Sequence, residues 1–244
     1  MKQLEGRVAI VTGASSGIGQ VVAEAYAAEG ARTVLAARRR DLLDGIVRGI
    51  AAAGGEALAI PTDVTREDEV LALFRQVTER FGRLDILVNN AGMTVPTPTD
   101  ELSVEMWRRI VDVNLTGAFI CSREALRVMK KQGAGRIINV GSISAKVPRE
   151  NSVAYAATKF GIEGLTRSLA LDARSHGIAV SVIHPGNTAA GFGARASAED
   201  IRAGRHMRPT ELARVFVLVA ALAPEINMLE TVALPLAQPF LGRG

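Results

Sequence analysis

The amino-acid sequence predicts a doubly wound α/β fold, a parallel sheet of about seven strands with helices on both faces, in a single domain spanning 1–244. Two observations carry that expectation. Short apolar runs bounded by turn residues alternate along the chain with longer stretches of helical period, the signature of repeated βαβ units. A glycine-rich turn also follows the first apolar run and opens directly onto a helical pattern, the place where such folds bind dinucleotides.

The apolar runs read as strands are Val8 to Val11, Arg32 to Ala36, Glu56 to Ile60, Leu84 to Val88, Gly135 to Val140, Ile178 to Ile183 and a last one near Thr231 to Leu234. Several are apolar at successive positions, as a strand covered by helices on both faces must be. The helical stretches between them are Gly17 to Glu29, Asp41 to Ala53, Arg66 to Phe81, Val104 to Lys131, Ala154 to His176 and Thr210 to Leu222. One crossover per strand, each right-handed, distributes these helices over both faces of an open sheet. A closed βα barrel needs one strand more than the sequence supplies. The segment Thr188 to Met207 breaks the pattern, being rich in Gly, Ala and Arg with a weak helical patch at Ala198 to Ala203. An irregular segment of this length reads either as an active-site lid over 188–207 or as an uninvolved surface loop.

Composition narrows the function classes. With 48% hydrophobic and 22% charged residues over 244 positions, the chain can bury a sizeable core and is expected to be globular and soluble. Its 29 Lys+Arg against 25 Asp+Glu leave only +4, and aromatics are 4%. Neither a basic stripe nor a stacking platform for nucleic acid is expected. Cys121 stands alone, which excludes an internal disulfide and multi-cysteine zinc patterns. It lies among Phe119, Ile120 and Leu126 and reads as a small buried hydrophobe. His176, His184 and His206 have no metal-ligand spacing, so no metal site is expected. No apolar leader precedes the first strand and no run reaches about 18 apolar residues. The expectation is a cytoplasmic protein with no membrane partner.

The chemistry starts at Thr12-Gly13-Ala14-Ser15-Ser16-Gly17-Ile18-Gly19. Glycines permit positive φ and close backbone approach, and the unpaired N–H groups of a new helix face an anion such as a pyrophosphate. The spacing, glycine at 13, 17 and 19, differs from G-x-G-x-x-G, and a glycine turn without a ligand is the alternative. Roughly 20 residues on, where an acid would hold the ribose 2′-hydroxyl of NAD, stands Ala36-Ala37-Arg38-Arg39-Arg40. Guanidinium groups can hold a 2′-phosphate through charge-assisted bonds, so NADP is expected over NAD. A solvated arginine face is the competing reading.

Taken together, these residues resemble the short-chain dehydrogenase/reductase family, and the resemblance runs from Gly6 to about Gly186. TGASSGIG at 12–19 is similar to its cofactor motif, Asp63-Val64 to its adenine contact, and Asn89-Asn90-Ala91-Gly92 to the motif that steadies the sheet and lines the cofactor. Asn114 stands where the family places a catalytic asparagine, Ser142 where it places a serine, and Tyr155-Ala156-Ala157-Thr158-Lys159 matches Tyr-x-x-x-Lys. The resemblance implies hydride transfer between NADP(H) and a carbonyl or secondary alcohol, with Tyr155 as general acid/base, Ser142 holding the substrate oxygen, and Lys159 lowering the phenol and holding the nicotinamide ribose. It further implies that Asn114 holds a water on the proton path, that Pro185, Gly186 and Thr188 touch the nicotinamide end, and that the protein is a homo-oligomer, dimer or tetramer. Two long helical stretches, Val104 to Lys131 and Ala154 to His176, carry apolar surface that fits such assembly.

The chain departs from the family pattern after Pro185-Gly186, where Thr188 replaces an aliphatic residue and Ala190 a threonine. Its C-terminus, Pro224-Glu225-Ile226-Asn227 to Ala237-Gln238-Pro239-Phe240, is similar to that of NADP-dependent hydroxy-acid and hydroxy-amino-acid dehydrogenases. The substrate is accordingly expected to be a small carbonyl or alcohol, such as a 3-hydroxy acid or hydroxy-amino acid. The rivals are a 3-oxoacyl-carrier-protein reductase, for which Arg123, Arg127, Lys130 and Lys131 would form a basic landing patch, and a non-catalytic NADP-binding sensor or scaffold.

Overall fold

The computed structural model describes residues 2–189 and 196–240. Its strands are β1 (Val8–Thr12), β2 (Arg32–Ala37), β3 (Glu56–Pro61), β4 (Ile86–Asn89), β5 (Gly135–Val140), β6 (Ile178–Pro185) and β7 (Glu230–Ala233). They form one sheet in the order β3-β2-β1-β4-β5-β6-β7, every pair parallel. The helices are α1 (Gly17–Ala28), α2 (Arg40–Ala52), α3 (Glu67–Phe81), α4 (Val104–Val111), α5 (Gly117–Gln132), α6 (Val153–Ala173), α7 (Ala198–Arg202) and α8 (Pro209–Ala221). The chain winds outward from β1 to β3, then returns to β4 on β1's other side. The crevice outside the carboxyl ends of β1 and β4 is therefore the switch point where open sheets receive ligands.

Both sheet faces are apolar because both are covered. On one face Ala9, Val11, Val88 and Ile138 pack with α1 and α8 around Tyr26 and Phe216. On the other, Val8, Ile10, Leu87 and Ile137 pack with α3 and α5 around Leu73 and Met129. Tyr26 keeps its hydroxyl satisfied in this core by donating to the Phe216 carbonyl, 3.1 Å.

Most boundaries differ from the expectation by a residue or two, and three differences have a tertiary reason. The fourth strand starts at Ile86 rather than Leu84 because the Asp85 carboxylate, clamped by Arg83, accepts the Val8 N–H at 2.8 Å. The last strand is shifted by one residue, with Glu230 paired to Val182. The stretch read as one helix from Val104 to Lys131 is two helices joined by a π-helical turn, Asp112–Thr116, an irregularity often found at functional sites. The turn carries Asn114, whose side chain is drawn into hydrogen bonds outside the helix. The weak patch at Ala198 is a helix whose start is fixed by Ser197 and Asp200 in a reciprocal capping box.

Candidate active site

A cavity of about 760 Å³ opens at the switch point. Of the residues expected to bind cofactor, Gly13, Ser15, Ser16, Gly17, Ile18, Arg38, Arg39, Asp63, Val64, Asn90, Ala91, Gly92, Tyr155, Lys159, Pro185, Gly186 and Thr188 all line it, and Ser142 does as well. Two expected residues do not. Gly19 is buried below the turn, where a Cβ would collide with the Asn90 amide, so its part is close packing rather than lining. Asn114 is 1% exposed and stands behind the wall.

The phosphate end follows from local backbone chemistry. Gly13 adopts φ of 65°, and a Cβ there would lie 2.8 Å from the Ala91 Cα, so the glycine turn and the 89–92 segment can meet only without a side chain. Thr12 and Asn90 weld them: Thr12 Oγ1 accepts the N–H groups of Asn90 and Ala91 at 3.0 and 3.1 Å, and Asn90 Nδ2 donates to the Thr12 carbonyl at 2.9 Å. The side chain of Ser16 does not cap α1, so the first N–H groups of that helix stay available to an anion. Arg39 reaches from the end of β2 to donate to Ser15 Oγ at 2.9 Å and Ser16 Oγ at 3.1 Å. Asp63 turns one carboxylate oxygen to the Thr65 N–H and hydroxyl. The donor set, a bare helix terminus flanked by two arginines with an acid further along, fits a phosphorylated dinucleotide.

Beneath this end runs a buried polar chain across the sheet. Asn89 Nδ2 donates to Asn139 Oδ1 and to Ser122 Oγ, both at 2.8 Å, and Asn139 Nδ2 donates to Thr166 Oγ1 at 2.9 Å. It ties β4 and β5 to α5 and α6 by bonds whose removal would leave buried groups unpaired.

At the other end, Ser142 follows β5 and its Oγ accepts the Ser144 N–H at 3.1 Å, while its own proton is directed to the cavity beside the Tyr155 phenol. Tyr155 and Lys159 are four apart on α6, so they share a face. Lys159 is buried, and its ammonium donates to the Val140 carbonyl at 2.7 Å. Burial pulls the amine down to about 8. Burial pushes the Tyr155 phenol up, while the Ser142 hydroxyl and the Arg149 guanidinium act in the opposite direction. Lys159, expected to contribute to lowering the phenol with the help of the positive nicotinamide, is not among these influences. The Lys159 Nζ stands 5.5 Å from the phenol ring centre and spends a hydrogen bond on Val140.

The side chain of Asn114 is fully engaged. Its Oδ1 accepts the Met93 N–H at 2.7 Å, and its Nδ2 donates to the Met93 carbonyl at 2.9 Å and to Thr158 Oγ1 at 3.1 Å. Both amide protons are committed, so the side chain does not present them to a water. It fastens the Met93 wall to Thr158, which in turn donates to the Tyr155 carbonyl at 2.8 Å.

Sequence reasoning missed His184. Its fully buried Nδ1 lies 3.2 Å from the Ser142 N and 2.9 Å from the Ser142 carbonyl oxygen, so the imidazole backs the serine's main chain. Its Nε2 is buried without a hydrogen bond and stands 3.7 Å from Glu230 Oε1. Glu163, His184 and Glu230 bring ligand-type atoms within 4.8 Å of one another. Lys146 supplies the cation there, at 2.7 Å from Glu163 and 2.6 Å from Glu230, and Arg167 closes the ring at 2.7 and 3.1 Å. The signal for His184, a histidine inside a buried strand just before Pro185-Gly186, was present, but its partner is 42 residues away. Burial pushes the Cys121 thiol up to about 12, as befits a packed hydrophobe.

The departures after Gly186 are braced by the divergent C-terminus. Gln238 Oε1 accepts the Asn187 N–H at 2.8 Å, and the Thr188 hydroxyl donates to the Gly186 carbonyl at 3.1 Å. Thr188 and Met207 form a parallel bridge that closes the base of the 188–207 segment. Ala196, Asp200 and His206 of that segment line the cavity, whereas Ala190 lies outside the described residues.

The family model for short chain dehydrogenases matches residues 7–200. The chain belongs to the short-chain dehydrogenase family. It is 41% identical over 227 residues to cis-4-hydroxycyclohexanecarboxylate dehydrogenase of Sinomonas cyclohexanicum, covering 88% of this chain and 89% of that one. It is 38% identical over 218 residues to 3-oxoacyl-[acyl-carrier-protein] reductase of Synechocystis, covering 87% and 88%. Its structure is similar to that of a metagenomic short-chain oxidoreductase in complex with NADP, with a TM-score of 0.85, 34% identity, and coverage of 97% and 100%. As a short-chain dehydrogenase the protein is an oxidoreductase with a nicotinamide cofactor. Among the described residues no helix is long and apolar enough to cross a membrane.

Proposed function

We propose that this short-chain dehydrogenase interconverts a carbonyl and a secondary alcohol with NADP(H), and that a hydroxy acid is its substrate class. The observation that carries the reading is the single cavity that joins Arg38, Arg39 and the glycine turn to Ser142, Tyr155 and Lys159. The dinucleotide would be held by 13–18, by Arg38 and Arg39 on a 2′-phosphate, by Asp63-Val64 at the adenine, by Asn90 to Gly92 along its length, and by Pro185, Gly186 and Thr188 at the nicotinamide. When bound, it supplies or takes up the hydride.

The chain's own residues handle the proton. Ser142 holds the carbonyl oxygen through its hydroxyl proton. Tyr155, protonated at neutral pH in its buried position, donates to that oxygen as negative charge develops. In the oxidative direction the phenol must give up its proton first, and Ser142, Arg149 and the Lys159 ammonium favour that form. Lys159 also holds the nicotinamide ribose in this reading, exchanging its Val140 bond for the ribose hydroxyls. Asn114 acts by fixing Met93 and Thr158, and thereby the turn of α6 that carries Tyr155.

The carrier-protein reductase reading keeps the support of the Synechocystis relative, but the two arginines of the basic patch proposed for it are neutralised from within. Arg123 is paired with Glu67 at 2.6 Å and with Glu124 at 2.9 Å, and Arg127 with Glu124 at 2.8 Å. Side-by-side turnover of free hydroxy acids with NADP and of a 3-oxoacyl thioester with NADPH tests the choice. Faster turnover of the hydroxy acids supports the proposal, and exclusive turnover of the thioester overturns it. Absence of both, with tight NADPH binding, would favour the sensor or scaffold.

A further inference from the structure

The cavity contains more positive charge at its substrate end than this chain neutralises. Besides Arg38 and Arg39 at the dinucleotide end, it is lined by Arg109 on α4 and Arg149 in the loop before α6. Both are exposed. Neither takes part in any ion pair or side-chain hydrogen bond among the described residues, unlike Arg123, Arg127 and Arg205. The carboxylates that line the cavity are elsewhere engaged: Asp63 with Thr65, and Asp200 with Ser197 and with Arg205 at 2.9 Å.

The position of Arg149 relative to the reacting centre is fixed by two observations. Arg149 lines the cavity together with Ser142 and Tyr155, and its charge acts to lower the Tyr155 phenol, so the guanidinium and the hydroxyl share one end of it. Its loop is braced: Asn151 takes φ of 55°, the Thr97 N–H donates to the Asn151 carbonyl at 3.0 Å, and Ser152 Oγ donates to the Arg149 carbonyl. The 94–97 wall and the 149–152 wall are thus joined, and the base of the Arg149 side chain is held while its planar fork remains free.

We propose that Arg149, assisted by Arg109, receives a carboxylate on the substrate while Ser142 and Tyr155 hold its carbonyl or hydroxyl oxygen, so that the protein selects hydroxy and oxo acids over their neutral counterparts. A guanidinium binds a carboxylate through two parallel charge-assisted bonds, and the pairing fixes orientation as well as charge. The inference rests on the oxidoreductase reading given above and names the group that sets its specificity.

The test compares matched pairs, a hydroxy acid against its primary amide and methyl ester, with saturating NADP on the wild type, Arg149→Gln, Arg149→Lys and Arg109→Gln. Removing the Arg149 charge also disturbs Tyr155, but that disturbance is common to both members of a pair and cancels in their ratio. The wild type is expected to prefer the acid by at least about tenfold in kcat/KM, and Arg149→Gln to erase most of that preference through KM, with Arg149→Lys in between. Arg109→Gln should reduce it less. NADPH affinity, read by fluorescence titration, should stay within about twofold of wild type. Equal turnover of acid and amide by the wild type would overturn the inference and leave the oxidoreductase reading standing. So would an Arg149→Gln variant that keeps the full preference, or one that loses NADPH binding in parallel. Failure of the wild type on every acid, amide and ester would overturn both.

Discussion

Replacing Lys159 by methionine should make the cofactor-free protein more stable at neutral pH while abolishing its turnover. The lysine is 5% exposed, and burial draws its amine from the ordinary 10.5 down to about 8. At about 1.4 kcal/mol per tenfold change in acidity, holding the ammonium in the folded state costs about 3 kcal/mol. The bond to the Val140 carbonyl is lost in the variant, a charge-assisted contact of about 1.5 to 3 kcal/mol. The net expectation is Lys159→Met between equal to wild type and about 2 kcal/mol more stable at pH 7. The sign with pH follows from proton counting. Where the folded value lies below the unfolded one, the unfolded chain binds more protons between the two, so stability rises with pH there. The cost is present in full below about pH 8 and fades toward 10.5. Urea unfolding of both proteins at pH 7 and pH 10 should therefore show wild type gaining about 2 kcal/mol on the variant. A gap that stays constant with pH, or a variant more than about 2 kcal/mol less stable at pH 7, would refute the picture of a strained buried ammonium.

Other expectations test other parts of the site. Arg39→Ala should weaken NADPH binding by roughly tenfold or more, from the loss of one charge-assisted contact, and leave NADH nearly unchanged, as read by fluorescence titration. His184→Ala removes the imidazole behind the Ser142 main chain and should cost about 2 to 4 kcal/mol of stability. It should also lower kcat without moving NADPH affinity, and His184→Asn should recover part of both in urea unfolding and steady-state kinetics. Phe119, Phe160 and Leu171 are 45%, 49% and 63% exposed on α5 and α6. That apolar exposure supports a homo-oligomer, and a monomer in sedimentation at micromolar concentration would contradict it.

What the sequence made legible was local. The glycine turn, the strand before it and the helix after it are contiguous, so their pattern was readable without the fold, and Arg38 and Arg39 followed from their place at the end of β2. Tyr155 and Lys159, an unremarkable helix pair by spacing alone, were singled out by the resemblance of the whole set of motifs. Features that depend on distant partners were not. The π-helical turn at Asp112–Thr116 accompanies bonds from Asn114 to Met93 and Thr158, 21 and 44 residues away, and no helical period announces it. The i to i+4 spacing says that Lys159 is near Tyr155 but not that its ammonium is bonded to Val140. The basic patch on α5 looked free because Glu67, which pairs Arg123, comes from α3. Arg149 attracted no notice although it lies in the segment between Ser142 and Tyr155, because spacing does not say that its side chain lines the cavity.

The most direct test of the central claim is isotopic. NADPH deuterated at its hydride-bearing carbon should be incubated with a turned-over oxo acid and the product examined by mass spectrometry and NMR, for the wild type and for Tyr155→Phe. The account predicts deuterium on the carbinol carbon with wild type, and with Tyr155→Phe no turnover but NADPH binding nearly intact, because only the proton donor is lost. Product lacking deuterium at that carbon, or a Tyr155→Phe variant that keeps about a tenth or more of the wild-type kcat, would contradict it.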